Sequence, residues 1–134
     1  MSIDPNGPPC YCGQRGCVET FISGGGLEAR YAEKFGAKRS FRELVKDYHR
    51  GDARTVEFMK TFFHNFGRSL ANLIDVLDPD LVVLGGGVSN FDALYTEWVA
   101  EVAKCVFSDY LDTPIVKHRI GDSAGVIGAA LIGV

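Results

Sequence analysis

No stretch of this chain is rich in Lys and Arg. Its 14 basic residues against 17 acidic ones leave a net charge of −3 and a pI of about 5.5. A phosphate-neutralising surface for nucleic acid is therefore not expected, and the cluster of Lys38, Arg39 and Arg42 is only a local patch. No apolar run approaches the roughly 20 residues that cross a bilayer, and Met1-Ser2-Ile3-Asp4-Pro5-Asn6 lacks the basic-then-apolar order of a secretory signal. The expected address is the cytoplasm. Internal repeats and low-complexity tracts are missing too. What is present is 134 residues, 46% hydrophobic and 23% charged, which is room for one core and hence one domain over 1–134.

Cysteine is scarce but unevenly spread. Of the four, three stand in the run Cys10-Tyr11-Cys12-Gly13-Gln14-Arg15-Gly16-Cys17, while Cys105 lies alone in a helical pattern. That distribution argues against two disulfides in a secreted protein and for a metal knuckle at 10–19. Cys10 and Cys12 are too close to pair comfortably with each other, whereas three thiolates at these spacings converge on a tetrahedral zinc if Gly13 and Gly16 let the chain turn sharply. A structural zinc takes four ligands. None of His49, His64 and His118 has the spacing of a local fourth one, and each reads as structural or solvated.

The first nine residues, rich in Pro and Gly, predict an irregular lead-in. Gly24-Gly25-Gly26 is expected to break the chain before a helix from Leu27 to Phe35. Ser40 with Glu43 makes a capping box for a short helix to about His49. Asp52 caps the longest helix, whose apolar positions Val56, Met59, Phe62, Phe63, Phe66, Leu70, Leu73, Ile74 and Leu77 predict one broad buried face, ended by Asp78-Pro79. Leu81 to Leu84 reads as a strand buried on both faces of a parallel sheet. Asn90 is placed to cap a helix presenting Leu94, Trp98, Val102 and Cys105. Ile115 to Arg119 reads as a second strand, and a small-residue helix closes the chain from about Val126 to Ile132. The order is α/β, helix-rich with a small, mainly parallel sheet.

Two glycine loops follow these strands. Backbone amides without side chains at a helix start can seat a nucleotide, yet Gly85-Gly86-Gly87 equally suits a tight turn, and Ser123 beside Asp122 equally suits an N-cap. Glu19, two residues past the last knuckle cysteine, is the acid best placed to be held in a defined direction by a metal-fixed loop. It is also an ordinary helix-start carboxylate.

Taken together, Pro9-Cys10-Tyr11-Cys12-Gly13-Gln14-Arg15-Gly16-Cys17-Val18-Glu19-Thr20-Phe21-Ile22-Ser23-Gly24 resembles the signature of the ROK family of repressors, open reading frames and sugar kinases. It looks most like the bacterial fructokinase branch. The resemblance continues through Leu77-Asp78-Pro79-Asp80-Leu81-Val82-Val83-Leu84-Gly85-Gly86-Gly87 and ends in Gly121-Asp122-Ser123-Ala124-Gly125. It implies the carboxyl-terminal lobe of the actin-like, ribonuclease H-like ATPase fold, with sugar and MgATP held between two lobes. It further implies zinc on Cys10, Cys12 and Cys17, sugar hydroxyls on Glu19, and the adenosine side of a nucleotide against Gly85, Gly86 and Gly87, with Asp122 and Ser123 nearby. The implied reaction moves the ATP γ-phosphoryl group to a hexose hydroxyl, with an aspartate as base.

By the same resemblance the family's phosphate loop, catalytic aspartate and histidine zinc ligand belong to an amino-terminal lobe that this chain does not contain. The expectation is a fragment that is inactive alone, with no catalytic residue of its own and with apolar cleft surface left open to self-association as a dimer or larger species. Two other readings stand beside it: the sugar-sensing domain of a ROK transcriptional repressor, and a standalone zinc-stabilised dimerisation module.

Overall fold

Ser40 and Asp52 show most plainly how local chemistry starts this fold. In the computed structural model, which describes residues 1–121 and 123–132, Ser40 and Glu43 form a reciprocal capping box at the head of helix α3 (Phe41–His49). Asp52 caps the 25-residue helix α4 (Ala53–Leu77) by accepting the Thr55 N–H at 2.8 Å. Each carboxylate or hydroxyl there satisfies an amide that the first helical turn cannot. At the other end Asp78 takes the left-handed conformation just before Pro79, and α4 stops.

Two helices precede these: α1 (Val18–Ile22) and α2 (Gly24–Phe35). The three glycines do not break the chain as expected but open α2. Ser23 caps it by accepting the Gly26 N–H at 3.0 Å. Gly26 is needed there, because a Cβ would lie 2.7 Å from the carbonyl oxygens of Glu19 and Thr20. The lead-in is likewise less irregular than its composition predicts: Ser2 bridges to Cys17 and Pro9 to Arg15, so residues 1–9 wrap the knuckle.

The core gathers on α4. Phe58, Met59, Phe62, Phe63, Phe66, Leu70 and Ile74 are buried among Leu27, Tyr31, Leu44, Phe91, Leu94 and Val102. Leu73 and Leu77, expected on that face, are instead exposed. The long helix expected after Asn90 is also absent. Two 3-10 turns, Gly87–Asn90 and Asp92–Tyr95, lead to a five-residue helix α5 (Val99–Ala103). The interruption lets Trp98 lie flat on Phe63, with ring centroids 3.6 Å apart and planes 4° from parallel. The face predicted for that helix survives, since Leu94 and Val102 are buried and Trp98 and Cys105 pack on the core. Gly67 admits α5, because a Cβ there would come 2.9 Å from the Glu101 backbone.

Strand β1 (Val82–Leu84) pairs in parallel with β2 (Ile115–Lys117), in the register Val82 to Ile115 and Val83 to Val116. Val82, Leu84 and Ile115 pack on the core while Val83 is 55% exposed, so the strand is covered on one face and not on both. Helix α6 (Ala124–Ile132) is apolar all round and has no buried residue.

Replacing Asp52 by Ala should lower the urea midpoint at neutral pH. The Thr55 N–H holds the Asp52 carboxyl below its ordinary value, so the native state favours the charged form. That contribution is present above the unfolded pKa of about 4 and disappears as the pH falls through the lower native value. Paired unfolding curves of the two proteins should therefore differ at pH 7 and converge in acid. A constant gap at all pH would show that the cap does not work through its charge.

Candidate functional site

The knuckle is shaped by backbone bonds before any metal is considered. The Cys10 N–H donates to the Gln14 carbonyl at 2.8 Å, the Gly13 N–H to Cys10 at 3.0 Å, and the Ile3 N–H to Gly16 at 2.8 Å. Gly13 and Gly16 both hold positive φ, of 85° and 60°. At Gly16 no other residue fits, since a Cβ would fall 1.6 Å from the Asp4 carbonyl oxygen.

This turn brings the sulfurs of Cys10, Cys12 and Cys17 within 4.8 Å of one another. The closest pair, Cys12 and Cys17, stands at 3.5 Å. Tetrahedral zinc with bonds of about 2.3 Å needs sulfurs about 3.8 Å apart, so the three fit such an ion. Among the described residues no His, Asp or Glu joins the cluster. Cys17 is buried, Cys10 half-buried and Cys12 exposed. The Gln14 N–H and the Cys17 thiol pull the Cys12 pKa down. Contact with the Cys12 thiol, followed by desolvation, pushes Cys17 up to about 11. Thiols this close cannot all ionise unless a cation lies among them.

Glu19 sits exposed in the first turn of α1, directly after the knuckle. Its carbonyl accepts the Ser23 N–H at 3.3 Å, and the Thr20 hydroxyl donates to the Cys17 carbonyl at 2.7 Å. The knuckle, Glu19 and the start of α2 are thus one connected corner, as sequence order alone suggests.

The second glycine-rich region stands at the carboxyl end of β1. A Cβ on Gly85, Gly86 or Gly87 would meet nothing within 4 Å, and Gly86 has a φ of 82°. The Ser89 hydroxyl donates to the Gly86 carbonyl at 2.6 Å and closes the turn. Gly87 lines a cleft of about 450 Å³ with Gly24, Phe41, Arg42, Val45, Val88, Asn90 and Phe91. Through Gly24 the cleft adjoins the corner that carries Glu19. Ser123 is exposed in the turn before α6, where its carbonyl accepts the Ile127 N–H at 3.0 Å. Asp122 lies outside the described residues. His118 Nδ1 accepts the Gly121 N–H at 2.9 Å.

Sequence reasoning did not find the α3 wall of this cleft. Ser40 and Glu43 announce where α3 begins, but nothing in the linear pattern says that its first turn faces the glycines after β1. A larger groove of about 810 Å³ lies between the lead-in and α2 and contains none of the expected site residues. Arg30 crosses it with its guanidinium 4.7 Å above the Phe21 ring.

Comparison with known proteins places this geometry in a family. The chain is 37% identical to the N-acetyl-D-glucosamine kinase of Vibrio atlanticus over 125 residues, which is 93% of this chain and 41% of that protein. It spans less than half the length of the curated relatives it matches. Among solved structures, the ROK hexokinase of Thermus thermophilus superposes with a TM-score of 0.84 at 33% identity, over 98% of this chain and 44% of that one. A ROK transcriptional regulator, a homolog of the E. coli MLC protein, shares the fold at a TM-score of 0.76 and 22% identity, over 98% of this chain and 36% of that one. The architecture is therefore one lobe of the actin-like ATPase fold. The ROK family description matches residues 1–133, and the chain belongs to the ROK family.

Proposed function

We infer that this chain is the carboxyl-terminal half of an ATP-dependent hexose kinase, a single domain over 1–134 that holds sugar- and nucleotide-contacting residues but not the catalytic base. The observation that carries this reading is the joining of two features in one small lobe: a thiol cluster of zinc dimensions followed directly by Glu19, and a glycine-walled cleft that begins at Gly24, two residues beyond α1. In this reading Cys10, Cys12 and Cys17 hold a structural zinc. Glu19 accepts hydrogen bonds from sugar hydroxyls. Gly85, Gly86 and Gly87, with Asp122 and Ser123, flank MgATP. The named activity of the curated relatives favours N-acetylglucosamine as the hexose, ahead of the fructose expected from the knuckle sequence.

Phosphoryl transfer is achieved by positioning and electrostatics, and half of both is missing here. The 134-residue chain is accordingly expected to release no ADP above buffer with N-acetylglucosamine or fructose and MgATP, in a coupled assay. Steady turnover would overturn the half-kinase reading.

The zinc assignment has its own test. Purified protein should carry close to one zinc per chain, and Cys12→Ser should lose it while the helical circular dichroism persists, because α4 and its core do not involve the knuckle. Unchanged metal content in the variant would remove Cys12 from the ligand set.

Open apolar surface supports self-association. Val83, Val76, Leu77, Val126, Leu131 and Ile132 are all more than half exposed, and apolar side chains left open in this number favour contact with a second copy. Light scattering at micromolar concentration should report a dimer or larger species, and a clean monomer would count against the idea.

A further inference from the structure

Charge is unevenly shared along this chain. Between Ser69 and Val116 there are eight acidic residues and a single basic one, Lys104, while the remainder has more basic than acidic side chains. Three of the eight are engaged: Asp92 pairs with Lys117, Glu101 pairs with Lys104, and Glu97 accepts the Tyr48 hydroxyl at 2.9 Å. Asp75, Asp78, Asp80, Asp109 and Asp112 are exposed, and none forms an ion pair among the described residues.

These five aspartates belong to two segments that run side by side. The Phe107 N–H donates to the Asp75 carboxylate at 3.0 Å, the Thr113 hydroxyl to the Pro79 carbonyl at 3.2 Å, and the Val82 N–H to the Pro114 carbonyl at 2.9 Å. One segment leads into β1 and the other into β2, and the two strands are parallel. Both segments therefore lie at the amino end of the sheet, away from the glycines that follow β1.

The same two segments leave apolar side chains open. Phe107 is 95% exposed and Val76 81%, and Tyr110 and Leu77 are each more than half exposed. Open aromatic and aliphatic side chains rimmed by charge have the composition of a protein-binding surface. The sign of the rim selects the occupant. Nucleic acid and anionic membrane carry the same sign and are repelled. A second copy docking by this same face would set its own aspartates against these ones. A segment with Lys or Arg flanking an apolar stripe complements both features, its cations meeting the carboxylates while its apolar side chains cover Phe107 and Val76.

We propose that the amino end of the sheet, formed by the last turn of α4 and residues 105–114, is a docking surface for a basic amphipathic segment of another protein. Self-association then uses Val83 and α6, which belong to other elements.

The test is fluorescence anisotropy with the full chain and three labelled helical peptides of about 14 residues: leucine with lysine in an amphipathic pattern, leucine with glutamate in the same pattern, and serine with lysine. The leucine-lysine peptide should bind at least about tenfold tighter than the other two. Phe107→Ser should weaken it roughly five- to thirtyfold. Joint replacement Asp109→Asn and Asp112→Asn should weaken it and flatten its dependence on salt. Glu57→Gln and Leu131→Ser, on other elements, should behave as wild type. All the substituted side chains are exposed, so thermal melts should match wild type. Absence of leucine-lysine binding would overturn the proposal. So would equal binding of the leucine-glutamate peptide, which would mark an apolar surface without charge selection, or of the serine-lysine peptide, which would mark charge alone. A loss with Leu131→Ser as large as with Phe107→Ser would put the peptide on α6 instead. In sedimentation velocity, Phe107→Ser should leave self-association unchanged, and a shift of that variant to monomer would assign this face to a second copy.

Discussion

The buried face of α4 is the constraint to which every other element answers. Phe62 and Phe63 are almost wholly enclosed, and α1, α3 and α5 each lie against this one helix. Burying a large aromatic stabilises by about 1.5–3 kcal/mol apiece, and several do so here in one contiguous set. After β1 the chain lays Trp98 flat on Phe63, so that this segment too is fastened to α4. Packing overrides the local periodicity, and the chain accepts two 3-10 turns and a five-residue helix instead.

The functional features sit where this core leaves backbone at the surface. The knuckle is held from outside by the bridges of Ser2 and Pro9 in the lead-in, and Gly16 is squeezed against Asp4. Its geometry is thus set by hydrogen bonds and by the absence of a side chain, with the thiols converging as a result. The cleft has a related origin. β1 ends in residues that make no side-chain contact, α3 arrives with its first turn anchored by Glu28, and a gap between them remains. Rigid walls built this way cost a ligand little ordering entropy.

The opposite side of the lobe is unfinished. Val83 and Val116 face outward from a sheet of two strands, and α6 is apolar around its whole circumference. A helix of that character is stable when enclosed. The lobe is consistent with less than half of a longer architecture.

Much was legible in the sequence where the cause is local. Capping by Ser40 and Asp52, the stop at Asp78-Pro79 and the cysteine spacing all follow from chemistry within a few residues. The family signature was likewise carried by contiguous runs. What the linear pattern misjudged depended on neighbours far along the chain. Whether Leu73, Leu77 and Val83 are covered, whether the three glycines open a helix or break one, and whether Trp98 belongs to a continuous helix are questions of which surfaces meet. The sequence by itself determined the starts of α3 and α4, the thiol cluster and the family. Only the tertiary structure decided that the first turn of α3 and Gly87 line one cleft, because that juxtaposition arises from α3 and α5 both packing on α4.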